Sequence, residues 1–448
     1  MNHPPSTRDE RLLQQLRPHL RALPESAADD DLLVEQLARA KLALLGEASH
    51  GTHEFYAERA WITQRLVRDH GFRAVVVEAD WPDAWRVNRY IRGRTDDRNA
   101  EEALSGFQRF PTWMWCNTVV RDFVEWLREY NHGRPPSQQV GFYGMDLYSL
   151  YASTRAVLDY LDRADPEAAQ RARSRYACFD HYGEDSQAYG YAASFGMKAS
   201  CEDEVIQQLR EMNRRAADLL AGSTDERADM FYAQQNARLV RNAEEYYRTM
   251  FHGRVSSWNL RDSHMVETLQ ALQKHLDGLT GQARMIVWAH NSHLGDASAT
   301  EMGDIGEWNV GQLARDRWGE EAVLVGFSTH HGTVTAASEW DGAAERKRVR
   351  PGLEGSYEDL FHRAGERFWL PLRGNPALAE LLQERRLQRA IGVIYLPQSE
   401  RMSHYFHTRL PAQFDAIIHI DETRALQPLV AEPTWHEGEP AETYPTGL

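Results

Sequence analysis

The chain has 448 residues, a formal net charge of −15 and a hydrophobic content of 42%. This length accommodates a large α/β domain with an insertion, or two domains, and supplies enough apolar residues for a substantial core. The negative charge argues against nucleic acid or an anionic membrane as the main partner, because both would repel the chain.

Cysteine usage and the first residues of the chain predict a compartment. Cys116, Cys178 and Cys201 cannot all pair and none lies in a CxxC spacing, which favours a reducing environment. The first twenty residues are polar and charged, and no run approaches the roughly 18 apolar residues of a membrane span. We therefore expect a soluble cytoplasmic protein.

Seven short apolar runs, each bounded by glycine or polar residues, predict strands. They carry little polar alternation, as in strands covered on both faces, and helical patterns separate them. The sequence therefore predicts an α/β fold with a mostly parallel sheet wrapped by helices. The predicted strands are Leu42–Gly46, Ala74–Glu78, Val140–Gly144, Met285–Ala289, Val323–Phe327, Ile391–Tyr395 and Ala416–Ile420.

The predicted strands divide the chain into a core and an insertion. Residues 35–146 and 281–425 form the predicted α/β core. Residues 147–280 contain no convincing strand and are rich in helical spacing, with Pro166 as a helix-start signal, so they predict a large helical insertion. Residues 1–34 are predicted to be a loosely packed lead-in, and residues 426–448 a tail.

Ionisable side chains follow most of the predicted strands. Parallel strands bring their carboxyl ends to one edge of the sheet, where ligands bind, so we expect these side chains to form an active site there. In chain order they are Glu47, His50 and His53; Glu78; Asp146; His290 and His293; His330 and His331; and Glu400, Arg401 and His404.

A nucleophilic serine or cysteine is not favoured. The segment from Gly46 to Gly51 is one residue longer than a Gly-x-Ser-x-Gly elbow, and Ser49 is adjacent in sequence to its only nearby base. Adjacent residues on a turn rarely face one another, so we interpret Ser49 as a spacer. Cys116 lacks an obvious histidine partner and is expected to be packed.

Metal chemistry is an alternative that the sequence leaves open. No His-Glu-x-x-His motif is present, but separated histidine pairs with nearby carboxylates are able to build a metal site. The alternative functions are a metal-dependent hydrolase, a metal- or haem-binding protein, and a non-catalytic ligand-binding protein. The pairs, all of the form His-x-x-His, are His50/His53, His290/His293 and His404/His407.

A third interpretation, a water molecule activated directly by an imidazole, gives a role to the histidines, the carboxylates and the arginine. Histidine accepts a proton near neutral pH, and a carboxylate behind it stabilises the imidazolium that forms. His50 would be the base, supported by Glu47 or Glu78. His290 and Arg59 would then steady the charge that grows on the substrate oxygen. Tryptophans are candidates to line an apolar pocket or to fill the core: Trp81, Trp85, Trp113 and Trp115.

Several motifs together resemble the erythromycin esterase family. They are Gly46-Glu47-Ala48-Ser49-His50, Glu54-Phe55, Arg59, Gly71-Phe72 leading into Glu78, and Ala289-His290-Asn291-Ser292-His293. The resemblance runs in order from about Leu42 to Thr423. The residues Ala79-Asp80-Trp81-Pro82-Asp83 are more polar than in the macrolide-resistance enzymes, which favours the broad branch of the family.

The resemblance implies a bacterial α/β hydrolase with a helical insertion that cleaves an ester, such as a macrolactone in antibiotic resistance, without a covalent intermediate. The implied base is His50, with Glu47, Glu78, Arg59 and His290 as the other catalytic residues. We expect a small-molecule ester as the partner and no metal or other cofactor, and the oligomeric state is open. The residues assigned to substrate binding are His53, Asp146, Asn291, His293, Glu400, Arg401 and His404.

Overall fold

The computed structural model describes residues 7–24, 32–182, 184–218, 224–430 and Trp435. An eight-stranded sheet with the order β1-β9-β12-β6-β2-β5-β3-β4 lies at its centre. The strands of the described residues, numbered in chain order, are β1 Arg21–Ala22, β2 Leu42–Leu45, β3 Ala74–Asp80, β4 Gly141–Asp146, β5 Met285–Trp288, β6 Ala322–Ser328, β7 His331–Ala336, β8 Glu345–Val349, β9 Arg367–Pro371, β10 Arg386–Arg389, β11 Tyr405–Thr408, β12 Ala416–Ile420 and β13 Glu422–Thr423.

The strands from β12 to β4 in this order all pair in parallel. Strand β9 pairs antiparallel with β12, and β1 pairs antiparallel with β9. The predicted α/β fold with a mostly parallel sheet is therefore confirmed. Two small sheets, β10-β11 and β13-β7-β8, lie outside the central one.

Each parallel strand contributes to a core on both faces of the sheet. In β2, Leu42 and Leu44 belong to one buried cluster, whereas Ala43 and Leu45 belong to the other. Successive side chains of a strand point to opposite faces, so a strand covered on both sides must be apolar throughout. This explains the unbroken apolar runs from which the strands were predicted.

Helices cover both faces, and a long helical stretch joins β4 to β5. Asp165 caps one of its helices by accepting from the Ala168 amide (3.0 Å), and Pro166 lies in the first turn, as its sequence predicts. The helices are α1 Thr7–Leu16, α2 Leu32–Leu37, α3 His53–His70, α4 Trp81–Ile91, α5 Ala100–Leu104, α6 Thr118–Asn131, α7 Leu150–Ala164, α8 Pro166–Tyr176, α9 Ser186–Ser194, α10 Glu202–Asp218, α11 Thr224–Thr249, α12 Arg254–Thr280, α13 Asn291–Leu294, α14 Glu301–Asp304, α15 Val310–Trp318, α16 Tyr357–Ala364, α17 Pro376–Leu381, α18 Glu400–Ser403 and α19 Leu410–Gln413.

Six of the seven predicted strands are present, and the prediction for residues 391–395 is wrong. This segment is irregular and makes single bridges to other loops, Ile391 with Ser49 and Ile394 with Ala337. The Ile391 amide donates to the Ala48 carbonyl (2.8 Å), so its backbone pairs with the loop after β2 rather than with the sheet. The antiparallel strand β9 was not predicted.

The described parts of the predicted lead-in and tail pack against the core. In α1, Leu12, Leu13 and Leu16 are buried, and β1 extends the sheet edge. In the predicted tail, Leu426 is buried and its amide donates to Gly51. Residues 1–6, 25–31, 431–434 and 436–448 of these predicted segments lie outside the described residues.

Two cysteines are joined in the helical stretch. Cys178 and Cys201 form a disulfide with their Cα atoms 5.9 Å apart, a pairing the sequence did not predict, and Cys116 is free. Among the described residues, no helix combines the length and apolar character needed to cross a membrane.

Candidate active site

A cavity of about 490 Å³ opens at the carboxyl ends of the central strands. His50 follows β2, Glu78 lies near the end of β3, Asp146 ends β4, and His290 follows β5; all four line the cavity. Ligand pockets of proteins typically have volumes of roughly 300–1,000 Å³. The structure thus gathers these four predicted residues at one edge of the sheet.

Glu47 connects His50 to Arg59 behind the cavity wall. Nδ1 of His50 donates to Oε1 of Glu47 (2.9 Å), and Nη2 of Arg59 donates to Oε2 (2.7 Å). Arg59 is fully buried, with its guanidinium over the rings of Tyr56 (4.3 Å) and Trp288 (5.1 Å). Because Nδ1 of His50 is engaged, Nε2 is the nitrogen left to accept a proton at the cavity.

Gly46 permits this arrangement through a close approach of Asn291. A Cβ atom at position 46 would lie 2.2 Å from Oδ1 of Asn291. Nδ2 of Asn291 donates to the Phe327 carbonyl (2.8 Å), and Oδ1 accepts from the Phe327 backbone nitrogen (3.2 Å). The backbone nitrogen of Asn291 donates to the Glu47 carbonyl (2.8 Å). The ends of β2, β5 and β6 are therefore fixed together, and Asn291 faces backbone rather than the cavity.

His290 offers an unpaired ring nitrogen beside His50. The two rings lie 4.7 Å apart between centroids. The amide nitrogen of Ser292 donates to Nδ1 of His290 (3.2 Å) and its hydroxyl lies 2.7 Å from the same atom, whereas Nε2 is buried without a hydrogen-bond partner. Burial, and then the neighbouring His50, hold the pKa of His290 well below its usual range. The ring is therefore neutral and carries its proton on Nε2.

Glu78 connects His290 to a buried ion-pair network. Its Oε2 accepts from the backbone nitrogen of His290 (2.9 Å), and its Oε1 accepts from Nη2 of Arg261 (2.8 Å) and lies 3.3 Å from Nε2 of His293. Burial raises the pKa of this carboxyl group, but His293, His50 and Arg261 outweigh burial and hold it well below its usual range. Glu78 is therefore ionised.

Two residues of α12 that the sequence analysis did not assign to the site complete the network. Arg261 binds the Asp146 carboxylate with Nε (2.9 Å) and Nη2 (2.7 Å), and Asp262 accepts from Nδ1 of His293 (2.9 Å). Burial lowers the pKa of His293, but Asp262 and Glu78 outweigh it and raise the pKa to about 9. Trp258, from the same helix, stacks on His293 at 4.5 Å.

A second pair of carboxyl groups lies on the cavity wall beyond β3. Arg109 donates from Nε to Oδ2 of Asp80 (2.8 Å), while Oδ1 of Asp80 is buried without a partner. Burial, and then the negative charge of Asp80, raise the pKa of Asp83 to about 7. This wall therefore changes its charge near neutral pH.

Aromatic side chains form much of the remaining wall. Of the four tryptophans considered from the sequence, Trp115 lines the cavity, whereas Trp81 and Trp85 stack with Tyr143 and its neighbours and Trp113 is buried elsewhere. The other aromatic residues of the lining are Phe107, Phe110, Tyr148, Trp258, Trp340, Tyr405 and Phe406.

The remaining predicted substrate-binding residues fall into two groups. His293 and His404 line the cavity; Nε2 of His404 accepts from the Leu396 amide (3.1 Å). His53, Asn291, Glu400 and Arg401 do not line it. Glu400 instead accepts from Arg389 (3.2 Å) and Tyr395 (2.9 Å), and Arg401 is exposed.

Ser49 and Cys116 lack the partners of a nucleophile. The Ser49 hydroxyl bonds that of Thr52 in the buried loop. The thiol of Cys116 donates to the Leu104 carbonyl (3.1 Å), and burial raises its pKa to about 12. A thiol with such a pKa is almost entirely protonated at neutral pH and is a weak nucleophile.

The histidines of the three His-x-x-His pairs do not come together as the ligands of a metal site. His50 and His290 line the cavity and bond Glu47 and Ser292, His293 bonds Asp262, and His407 bonds Glu301 (3.0 Å). Among the described residues, the group of three potential metal ligands that lie close together is His330, His331 and Asp421 instead.

The fold and cavity define a class of α/β protein with buried histidine–carboxylate pairs at the carboxyl edge of the sheet. Comparison of the sequence with family models gives a match to the erythromycin esterase family over residues 67–423. The chain belongs to this family, and is therefore a hydrolase.

Individual relatives are distant. The chain is 21% identical to YbfO of Bacillus subtilis (strain 168) over 421 residues, 88% of this chain and 87% of that protein. It is 22% identical to the erythromycin esterase type II of Escherichia coli over 310 residues, 66% of this chain and 70% of that protein. At these identities the relatives do not identify the substrate of this chain.

Solved structures share the fold. A succinoglycan biosynthesis protein superposes with a TM-score of 0.73 at 21% identity, covering 95% of this chain and 100% of that one. A mutant of the erythromycin esterase EreC in its open conformation superposes with a TM-score of 0.62 at 16% identity, covering 89% of this chain and 95% of that one.

Proposed function

We propose that this protein hydrolyses a carboxylic ester by direct attack of water, with His50 as the general base. The observation that carries the proposal is the facing pair of His50 and His290. His50 is backed by Glu47 and is able to accept a proton, whereas the neutral His290 carries a proton on Nε2, which makes only a weak contact with the Ala48 carbonyl. The two rings are in contact, with centroids 4.7 Å apart, so an ester carbonyl bound in the cavity against the pair would meet both the base and the donor.

The proposed reaction has two steps. Nε2 of His50 takes a proton from water while the water oxygen bonds to the carbonyl carbon, and the electron pair of the carbonyl moves onto its oxygen. Nε2–H of His290 hydrogen-bonds this oxyanion. The intermediate then collapses, the carbon–oxygen bond to the alcohol breaks, and the His50 imidazolium returns its proton to the leaving alkoxide. The products are a carboxylic acid and an alcohol.

Glu47 and Arg59 position the base. The carboxylate of Glu47 holds Nδ1–H of His50 and stabilises the imidazolium that forms, as in other histidine–carboxylate pairs. Arg59 occupies the other carboxylate oxygen, so Glu47 cannot rotate away from His50. Arg59 does not line the cavity and is therefore a positioning residue.

The cavity favours a bulky ester that presents both apolar and hydroxyl or amine groups. Aromatic rings cover part of the wall, and the remainder is polar, with the carboxylates of Glu78, Asp80 and Asp146 paired with Arg109 and Arg261. A macrolactone combines these properties, and one relative is named as an erythromycin esterase. Macrolides are therefore the first substrates to test, alongside simple aryl and alkyl esters.

The test is mass spectrometry of a macrolide and ester panel after incubation with the wild type and with His50→Ala. We expect a mass increase of one water in at least one ester with the wild type. The His50→Ala variant should have a kcat lower by about 10²–10⁴-fold, because a general base contributes that much. His132→Ala, at an exposed histidine of the surface, is the matched control and should retain full activity.

Rapid quenching and intact-protein mass spectrometry test the absence of a covalent intermediate. During turnover of an active ester, the mass of the protein should stay unchanged. An acylated protein would contradict direct attack by water. Turnover of His50→Ala close to that of the wild type would remove His50 from the mechanism.

A further inference from the structure

A second cluster of ligand-type side chains lies where β6 and β12 end. One nitrogen each of His330 and His331 and one carboxylate oxygen of Asp421 lie within 4.8 Å of one another. None of the three lines the cavity that contains His50. The cluster is therefore separate from the proposed hydrolytic site.

The backbone holds the three residues together. The amide nitrogens of His330 and His331 both donate to the Asp421 carbonyl, each at 3.0 Å. On the other side, Nη2 of the buried Arg389 donates to the carbonyls of Thr329 (2.7 Å) and His330 (2.8 Å). A set of side chains fixed in this way loses little freedom when a ligand binds, which favours affinity.

The two imidazoles are already placed as two ligands of one ion. Nδ1 of His330 and Nδ1 of His331 are 3.0 Å apart. Ligands about 2.1 Å from a tetrahedral zinc ion lie roughly 3.4 Å from each other, so a small separation of the rings would suffice.

Asp421 has the supporting hydrogen bonds of a ligating carboxylate. Nδ1 of His362 lies 2.8 Å from Oδ1 and 3.0 Å from Oδ2, and Nε2 of His419 lies 3.4 Å from Oδ1. Outer hydrogen bonds of this kind orient the ligands of metal sites.

We propose that His330, His331 and Asp421 bind one divalent transition-metal ion, with Zn²⁺ as the fitting example. Two imidazoles with one carboxylate suit zinc and its neighbours, whereas calcium and magnesium prefer sets of oxygen ligands. The ion takes the place of the proton that lies between the two Nδ1 atoms, and the ring that carried this proton becomes its Nε2–H tautomer by exchange with solvent.

The position of the site indicates which parts of the fold a bound ion would connect. His331 begins β7, which pairs with β8, and the turn that joins these strands carries Trp340 to the cavity wall. Asp421 lies between β12 and β13, and β13 pairs with β7. A metal ion would thus join the base of the hairpin to the central sheet.

The experiment is titration of chelator-treated, dialysed full-length protein with ZnCl₂ by calorimetry, and with CoCl₂ by visible absorption. We expect one saturable Zn²⁺ site per chain and d–d bands of protein-bound Co²⁺ that Zn²⁺ abolishes. Zn²⁺ should also raise the melting temperature, because it binds the folded state alone. Asp421→Asn and His331→Ala should each weaken binding by more than about 10–100-fold, the usual cost of losing even an outer partner.

His407→Ala supplies the matched control, because His407 forms a histidine–carboxylate pair with Glu301 at the surface. It should bind Zn²⁺ as the wild type does. Circular dichroism of each variant without metal establishes that it is folded. The proposal fails if the wild type shows no saturable Zn²⁺ binding, or if folded Asp421→Asn and His331→Ala bind Zn²⁺ as tightly as the wild type.

Discussion

Arg59 donates at 2.7 Å to the Glu47 carboxylate from the side opposite His50, and neither the guanidinium nor the carboxylate reaches the cavity. Both side chains are almost completely buried. In such a pair, the loss of one partner leaves an uncompensated charge, which is much more costly than the loss of both. This relationship supports the first prediction.

Arg59→Met should destabilise the protein by about 3–5 kcal/mol, because it removes the cation that neutralises the buried Glu47 carboxylate and leaves only His50 beside it. The double variant Arg59→Met/Glu47→Leu should recover much of that stability but should not recover turnover, since His50 then lacks its carboxylate. Urea unfolding and kcat, measured on the same three proteins, separate the two effects. A double variant as active as the wild type would contradict the positioning role.

His290 should act on the transition state rather than on substrate binding. His290→Phe removes the Nε2–H donor and should lower kcat by about 10²–10³-fold with little change in KM, as expected for loss of an oxyanion donor. His290→Gln keeps a donor on a flexible side chain, so its kcat should lie between that of the wild type and that of His290→Phe. A rise in KM with unchanged kcat would assign His290 to ground-state binding instead.

The raised pKa of His293 predicts a loss of stability at alkaline pH. The folded-state pKa of about 9 exceeds the usual 6.5, so the stabilisation is complete below pH 6.5 and is lost as the pH rises through 9. Its size is at most about 3 kcal/mol, since one pKa unit is worth about 1.4 kcal/mol. Urea unfolding from pH 6 to 10 should show this decline in the wild type, and His293→Gln should show a flatter profile.

The raised pKa of Asp83 predicts a loss of stability as the pH rises from acid to neutral. Its folded-state pKa of about 7 exceeds the usual value of 3.8, so the folded state loses stability as the pH rises from about 4 to 7. The change that Asp83→Asn causes in the free energy of unfolding should therefore be more favourable at pH 8 than at pH 4, by at least about 1 kcal/mol. An equal effect of the substitution at both pH values would show that folding does not shift the pKa of Asp83.

Trp340 should contribute to the binding of large esters. It lies on the cavity wall with its ring 5.1 Å from that of Phe110, yet 55% of the residue is exposed. Trp340→Ala should raise KM for a bulky ester by about 2- to 10-fold, the usual worth of an aromatic contact, with little effect on a small acetate ester. Phe195→Ala, at an exposed aromatic residue away from the cavity, is the control and should change neither.

The sheet could be predicted from the sequence because burial on both faces leaves an unbroken apolar pattern, as in β2. The same reasoning placed Glu78 and His290 at one edge, since they lie at the carboxyl ends of strands that pair in parallel with β2 or its neighbours. Arg59 was assigned through the family resemblance, because an arginine in the middle of a helix has no distinctive local pattern.

Other parts depend on tertiary contacts that leave little local signal. Residues 391–395 have the composition of a strand, but their hydrogen-bond partners lie in the loops after β2 and β7. Arg261 and Asp262 lie within the 27-residue helix α12, remote from any strand end in sequence. Arg261 reaches Asp146 and Glu78, and Asp262 reaches His293, so their roles could be recognised only once the packing of this helix was known.

The contact between position 46 and Asn291 constrains how the sequence is able to diverge. Any side chain at position 46 would occupy the space that Oδ1 of Asn291 already fills, at 2.2 Å from the added carbon. Replacement of Gly46 therefore requires a smaller residue at position 291, which in turn would leave the Phe327 backbone groups without their partner. The two positions, 245 residues apart in the chain, should consequently co-vary as a single unit among functional homologues.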